Sequence, residues 1–152
     1  MTFDAIRRSE EAKRMYAYMQ HGGTPTYIHC ENVARMSDAI DRRLRLGADR
    51  EVLLTGAMLH DYYLYDWHRK DDGSHRLHGF SHAERARRNA VEAFGVDGRV
   101  QHVIATHMWP LNLTRLPRTR EAWIVCLADK CCAMREMLCG ARRKRRPATE
   151  NG

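Results

Sequence analysis

The sequence predicts an all-α fold. Apolar residues recur at three- and four-residue spacing along most of the chain, and no stretch alternates apolar with polar residues for the length of a strand. Helix-start residues and glycine stops also punctuate the pattern at intervals suited to single helices. The length of 152 residues is that of one domain, and 43% hydrophobic with 30% charged residues is the composition of a soluble globular protein.

Phe3 to Gln20 reads as one charged amphipathic helix, closed by Gly22 and Gly23. Thr24 is placed to cap a second helix, with Pro25 in its first turn and His29, Val33, Met36 and Ile40 forming its apolar stripe. Gly47 ends it, and Asp49 caps a third helix. There Val52 to Leu59 is almost entirely apolar and delivers His60 and Asp61. The stretch from Asp66 to Gly79, with Asp71, Asp72, Gly73 and Ser74 as turn formers, reads as the longest loop. Ser81 and Glu84 make a capping box that starts a fourth helix at His82 and runs it to Gly95. Asp97 caps a fifth, whose apolar face of Val100, Val103 and Ile104 leads to His107. A second loop spans Trp109 to Pro117, and Thr119 caps a last helix of about twenty residues that Gly140 stops. The expected architecture is a compact bundle of about six helices over residues 1–140, followed by a basic, disordered tail over 141–152.

Composition narrows the function. The longest apolar stretches, Val52 to Leu59 and Ala122 to Ala128, fall far short of the roughly 18 residues of a membrane helix. The charged start from Met1 to Glu11 does not resemble a signal peptide. The expectation is a cytoplasmic protein without membrane contact. Of the net charge of +7, five units lie in Arg142 to Arg146, so the body is nearly neutral and nucleic acid is not the expected partner. Five cysteines form an odd set without a C-x-x-C pair, and are expected to be reduced thiols with no chemical role.

The chemistry lies where apolar helical runs contain residues that cannot be buried alone: His29, His60 with Asp61, His107, and Asp129. Asp129 has Val125, Cys126, Cys132 and Ala133 as its helical neighbours, and an unpaired carboxylate there costs several kcal/mol. It must be paired, hydrogen-bonded or metal-bound. Histidine with carboxylate is a ligand set for divalent transition metals. The order His29, His60, His82, His107, Asp129, with separations of 31, 22, 25 and 22 residues, puts one ligand or ligand pair on each successive helix, as a site in a bundle core requires.

A histidine, a later His-Asp pair and a distal aspartate on helices resemble the HD-domain superfamily of metal-dependent phosphohydrolases, and Leu127, Ala128, Asp129, Lys130 is similar to the ALADK phrase of several members. The resemblance implies that His29, His60, Asp61 and Asp129 hold a first divalent ion. With His82 and His107 holding a second and Asp61 bridging, the pattern is similar to the small dinucleoside-tetraphosphate hydrolases of that superfamily. It implies one or two ions among Fe, Mn, Ni and Zn, and cleavage of a phosphate ester or anhydride, on a nucleotide or dinucleotide, by metal-activated hydroxide. His78, four residues before His82, is the rival ligand or a contact to substrate phosphate. Lys130 suits a catalytic or phosphate-binding cation, or equally a surface ion pair. Asp66 and Lys130 are candidates for the leaving-group acid, and Arg115 with Arg118 for a phosphate rim. Tyr62, Tyr63, Tyr65 and Trp67, beside His68, Arg69 and Lys70, suit either base stacking or packing over the bundle. Leu64 stands where many relatives carry the lysine of His-Asp-x-x-Lys, and no Gly-Tyr-Pro follows His107, which argues against a cyclic di-guanylate phosphodiesterase. The competing class is a nucleic-acid or protein-binding helical module with a structural or vestigial metal site and a basic tail.

Overall fold

A computed structural model describes residues 1–20, 23–64 and 78–145, the side chains of 78–81 and 142–145 excepted. The described residues form helices and no strand: α1 (Phe3–Arg8), α2 (Glu10–Lys13), a 3-10 turn (Arg14–Ala17), α3 (Thr26–Leu44), α4 (Arg50–Leu59), α5 (His78–Phe94), α6 (Gly98–Thr106) and α7 (Arg120–Arg145). The all-α expectation holds.

Local chemistry explains where the boundaries differ from expectation. The single helix expected over Phe3 to Gln20 is broken at Ser9. Its hydroxyl donates to the Ile6 carbonyl at 2.7 Å and accepts the Ala12 N–H at 3.1 Å, so it closes α1 and caps α2 at once. Pro25, not Thr24, precedes the first residue of α3. The Thr24 carbonyl instead accepts the Gln20 N–H at 2.6 Å in a turn that has Gly23 at φ +86°. α3 stops at Leu44 because Arg45 turns left-handed, two residues before the expected Gly47. Asp49 and Asp97 cap α4 and α6 as expected, each accepting two backbone N–H groups. Thr119 accepts the Ala122 N–H at the start of α7. α5 begins at His78, four residues before the position set by the capping box, so Ser81 lies within its first turns. α7 runs through Gly140 to Arg145, since a helical glycine costs only about 1 kcal/mol and need not stop a helix. Most of the loop expected from Asp66 to Gly79 lies outside the described residues.

The core is continuous. α3 and α4 pack side by side, α7 crosses both, and α6 closes the bundle against α4, α5 and α7. α4 sits at the centre, with every residue from Val52 to Leu59 buried. Tyr62 and Tyr63 are also buried, Tyr62 with its ring 5.3 Å from Phe94, so both tyrosines serve packing rather than an open platform for a base. Tyr65, Trp67, His68, Arg69 and Lys70 lie outside the described residues. No helix among those described is long and apolar enough to cross a membrane.

α4 and α6 approach closely at Gly56, where an added Cβ would sit 2.5 Å from Val103 Cγ1 and 2.8 Å from its Cβ. Val103 is fully buried and cannot yield. Gly56→Ala should therefore destabilise the protein by about 1–3 kcal/mol, read as a lower urea midpoint at unchanged slope. Gly98→Ala, whose methyl meets nothing within 4 Å, should leave the midpoint in place or raise it.

Candidate metal centre

Two helices end in the same way. His60 follows the last residue of α4 and His107 the last residue of α6, each still with helical backbone angles. In each the ring Nδ1 lies 2.7 Å from the carbonyl three residues back, Ala57 in one case and Ile104 in the other. An Nδ1–H that donates to its own helix satisfies one terminal carbonyl and turns Nε2 away from the helix, toward the centre of the bundle. The third imidazole comes from the first turn of α3 and the fourth from α5: His29 and His82 are both buried.

The carboxylates complete the cluster. Asp129 Oδ1, on α7, lies 3.1 Å from His29 Nε2 and 3.6 Å from His60 Nε2. Asp61 divides its oxygens. Oδ2 faces His60 Nε2 at 3.3 Å and His29 Nε2 at 3.9 Å, while Oδ1 faces His82 Nε2 at 3.4 Å and His107 Nε2 at 3.6 Å. His82 and His107 approach each other at 3.0 Å between their Nε2 atoms. All six groups proposed from the sequence therefore meet, though they span a hundred residues of chain.

The electrostatics of the cluster are divided in the same way. Burial works against charge on His29, His60, Asp61 and Asp129, yet their contacts with one another outweigh it. His29 is pushed up to about 10 by Asp129 and Glu136, and His60 well above its ordinary value chiefly by Asp61. Burial raises the carboxyls of Asp61 and Asp129, but the adjacent imidazoles hold both well below the usual range. On the other side burial, reinforced by the charge on His60, drives His107 down to about 3. The imidazoles of His29 and His60 and the carboxylates beside them thus favour charge on one another, and a divalent ion would take over that role by displacing the imidazole protons.

The residues fit such an ion. Despite complete burial, His60 Nε2 and Asp61 Oδ1 have no hydrogen-bond partner, and unsatisfied atoms of this kind call for an additional group between them. Among the described residues two sets have donor atoms close enough to share an ion, His29 with His60 and Asp129, and His60 with Asp61 and His107. Nitrogen and carboxylate oxygen without thiolate suits Mn, Fe, Ni or Zn.

Two neighbours escaped the sequence reading. Glu136 on α7 accepts from His29 Nδ1 at 2.9 Å and from Asn32 Nδ2 at 3.2 Å, which fixes the His29 ring from behind. Its signal was available, because it stands two helical turns after Asp129 on the same face. Gln20 is buried and donates to Asp61 Oδ2, and no local pattern marks it.

The remaining candidates are placed elsewhere. Lys130 donates to the His107 carbonyl at 3.0 Å, the Cys126 carbonyl at 3.3 Å and Cys126 Sγ at 3.3 Å, so its ammonium holds the C-terminal end of α6. Arg115 pairs with Glu84 at 3.0 Å. His102 is half-buried and accepts the Arg118 backbone N–H through Nε2. His78 starts α5, with its side chain outside the description, and Asp66 lies outside the described residues. The five cysteines are free thiols, three of them buried.

Among known families, the model of the HD domain matches residues 26–134, from the first turn of α3 to the middle of α7. No curated protein and no solved structure matches the chain.

If Glu136 orients His29, Glu136→Gln should weaken Mn2+ binding by about 10–100-fold in isothermal titration, with little change in thermal stability. Unchanged affinity would assign Glu136 to packing alone.

Proposed function

The chain belongs to the HD domain family, which matches 26–134 across every element of the cluster, and from that premise we propose that it is a metal-dependent phosphohydrolase acting on a phosphate ester or anhydride of a nucleotide or dinucleotide. The observation that carries the proposal is the split Asp61 carboxylate, one oxygen toward His29 and His60 and the other toward His82 and His107. It supports two adjacent ion positions sharing Asp61, with His29, His60 and Asp129 completing one and His82 and His107 the other. Bound there, divalent ions supply Lewis-acid charge to a phosphoryl oxygen and make water a competent nucleophile at neutral pH.

The chain's own residues then have defined tasks. His60 and His107, pinned through Nδ1, present Nε2 in one tautomer and orientation without reorganisation during turnover. Gln20 holds Asp61 by one oxygen and limits its rotation. The buried walls around Asp61 keep bulk water from the donor atoms and strengthen every charge interaction inside. Lys130 acts as a positioning residue for His107 through the carbonyl of that residue. His78, at the start of α5, and Arg115 are the proposed contacts to substrate phosphate. Asp66 remains the proposed leaving-group acid, a role that the commitment of the Lys130 ammonium to α6 disfavours for the lysine. The phosphorylated small molecule is the proposed partner, and the cytoplasm the proposed compartment.

Protein produced in metal-replete medium should carry about one to two equivalents of Mn, Fe, Ni or Zn by elemental analysis, and should hydrolyse members of a nucleotide and dinucleotide panel. Less than about a tenth of an equivalent, with none gained on reconstitution, would exclude the centre. Asp61→Ala should abolish activity and reduce metal content; retained activity would refute its role. Lys130→Met should lower kcat and metal affinity together if the lysine positions His107. A rise in KM alone, with metal binding intact, would show that it meets the substrate.

A further inference from the structure

α7 has a second face. Opposite Asp129 and Glu136, the side chains of Trp123, Leu127, Met134 and Leu138 form one exposed stripe at helical spacing, from 43% exposed at Trp123 to 67% at Leu138. The stripe spans about 22 Å, or four turns. At its N-terminal end it becomes the wall of an apolar groove of about 310 Å³, whose other wall is Leu44 and Leu46 at the end of α3. The groove is preformed. Trp109 meets Trp123 edge to face at 4.9 Å between ring centres, and the Trp109 carbonyl accepts from Cys126 Sγ, so the floor needs no ordering on binding. Exposed apolar surface of this extent, on the face of α7 turned away from the core, marks an interaction site.

The charge around it selects the occupant. The segments that frame the groove, 43–48, 108–120 and the outer face of α7, carry no exposed carboxylate. Glu121 is buried on the Asp49 N–H, and Asp129 and Glu136 face the metal cluster. The same segments carry Arg43, Arg45, Arg118 and Arg120, and α7 sets Arg135 on one flank of the stripe. A second copy of the chain matches the apolar pattern, since antiparallel pairing about Lys130 and Cys131 puts Leu127 on Met134 and Trp123 on Leu138. It fails on charge: it brings the helix end bearing Arg142, Arg143, Lys144 and Arg145 to Arg118 and Arg120 of the other copy. A bilayer satisfies the charge but is flat, and leaves a concave groove unfilled.

We propose that this groove and stripe bind an acidic amphipathic helix of a partner protein, its apolar residues at i, i+3, i+4 and i+7 seated along α7 and its carboxylates toward the flanking arginines. This site is separate from the metal cluster, and stands whether or not the protein is a hydrolase.

The probe is a fluorescein-labelled 18-residue peptide with leucine at those spacings and glutamate elsewhere, titrated with the full chain by fluorescence anisotropy. Binding should weaken at least about 10-fold in Leu127→Glu/Met134→Glu, and by a similar factor from 50 to 300 mM salt. The double variant should keep the parent's metal content and melting temperature. Absent binding, binding equal to that of a scrambled peptide, or binding unchanged in the double variant would each overturn the proposal. Light scattering that shows a dimer split by the double variant would overturn it in favour of a second copy. Sedimentation with vesicles of 30% phosphatidylserine, lost in that variant, would overturn it in favour of lipid.

Discussion

Two carboxylates buried in an apolar bundle are the constraint on which the rest of the structure turns. Asp61 and Asp129 are each less than a tenth exposed, and neither could be ionised there without compensation. Compensation comes chiefly from the imidazoles of His29 and His60, with those of His82 and His107 facing the other oxygen of Asp61, so the bundle must bring α3, α4, α5, α6 and α7 to one point. Packing and charge neutralisation are therefore the same requirement here. A helix displaced by one turn would leave both a cavity and an unpaired charge.

The centre is built from helix ends and first turns rather than from helix middles. His60 and His107 close α4 and α6, and His29 lies in the first turn of α3. Only His82, in the second turn of α5, and Asp129 come from within long helices. Ends suit the task because their backbone groups are short of partners: a histidine that satisfies a terminal carbonyl through Nδ1 is oriented by the helix itself. The close contact at Gly56, where α4 meets Val103 of α6, sets the separation of the two helices that carry this pair. α7 joins the centre to the outside, with Asp129 and Glu136 on one face and an apolar stripe on the other.

Legibility of the fold followed the range of the interactions. Asp49, Asp97 and Thr119 were readable as caps because a cap is a contact between residues two or three apart. Ser9 was missed because a serine inside an amphipathic run is ordinarily neutral, and its double role as stop and start appears only with the break in place. Ser81 misled for the opposite reason: the capping-box pattern was present, but the helix had already begun at His78. Gly140 failed as a stop, since glycine ends a helix only when the chain turns left-handed there. Gln20 and Asn32 could not be read at all, because each acts on a partner at least forty residues away.

By itself the sequence determined the helical class, the caps at Asp49, Asp97 and Thr119, and five of the six metal-binding candidates, since burying a carboxylate or imidazole within an apolar periodic run is costly whatever the fold; His82 followed from the family resemblance. Tertiary structure alone decided that those six meet, that Asp61 faces both halves of the set, and that Glu136 rather than solvent stands behind His29. It also turned Lys130 toward the end of α6, and buried Tyr62 and Tyr63 in the core. The physical reason is range. Propensity, capping and burial cost act over a few residues and are written locally, whereas the direction of a side chain across the bundle depends on how distant helices cross.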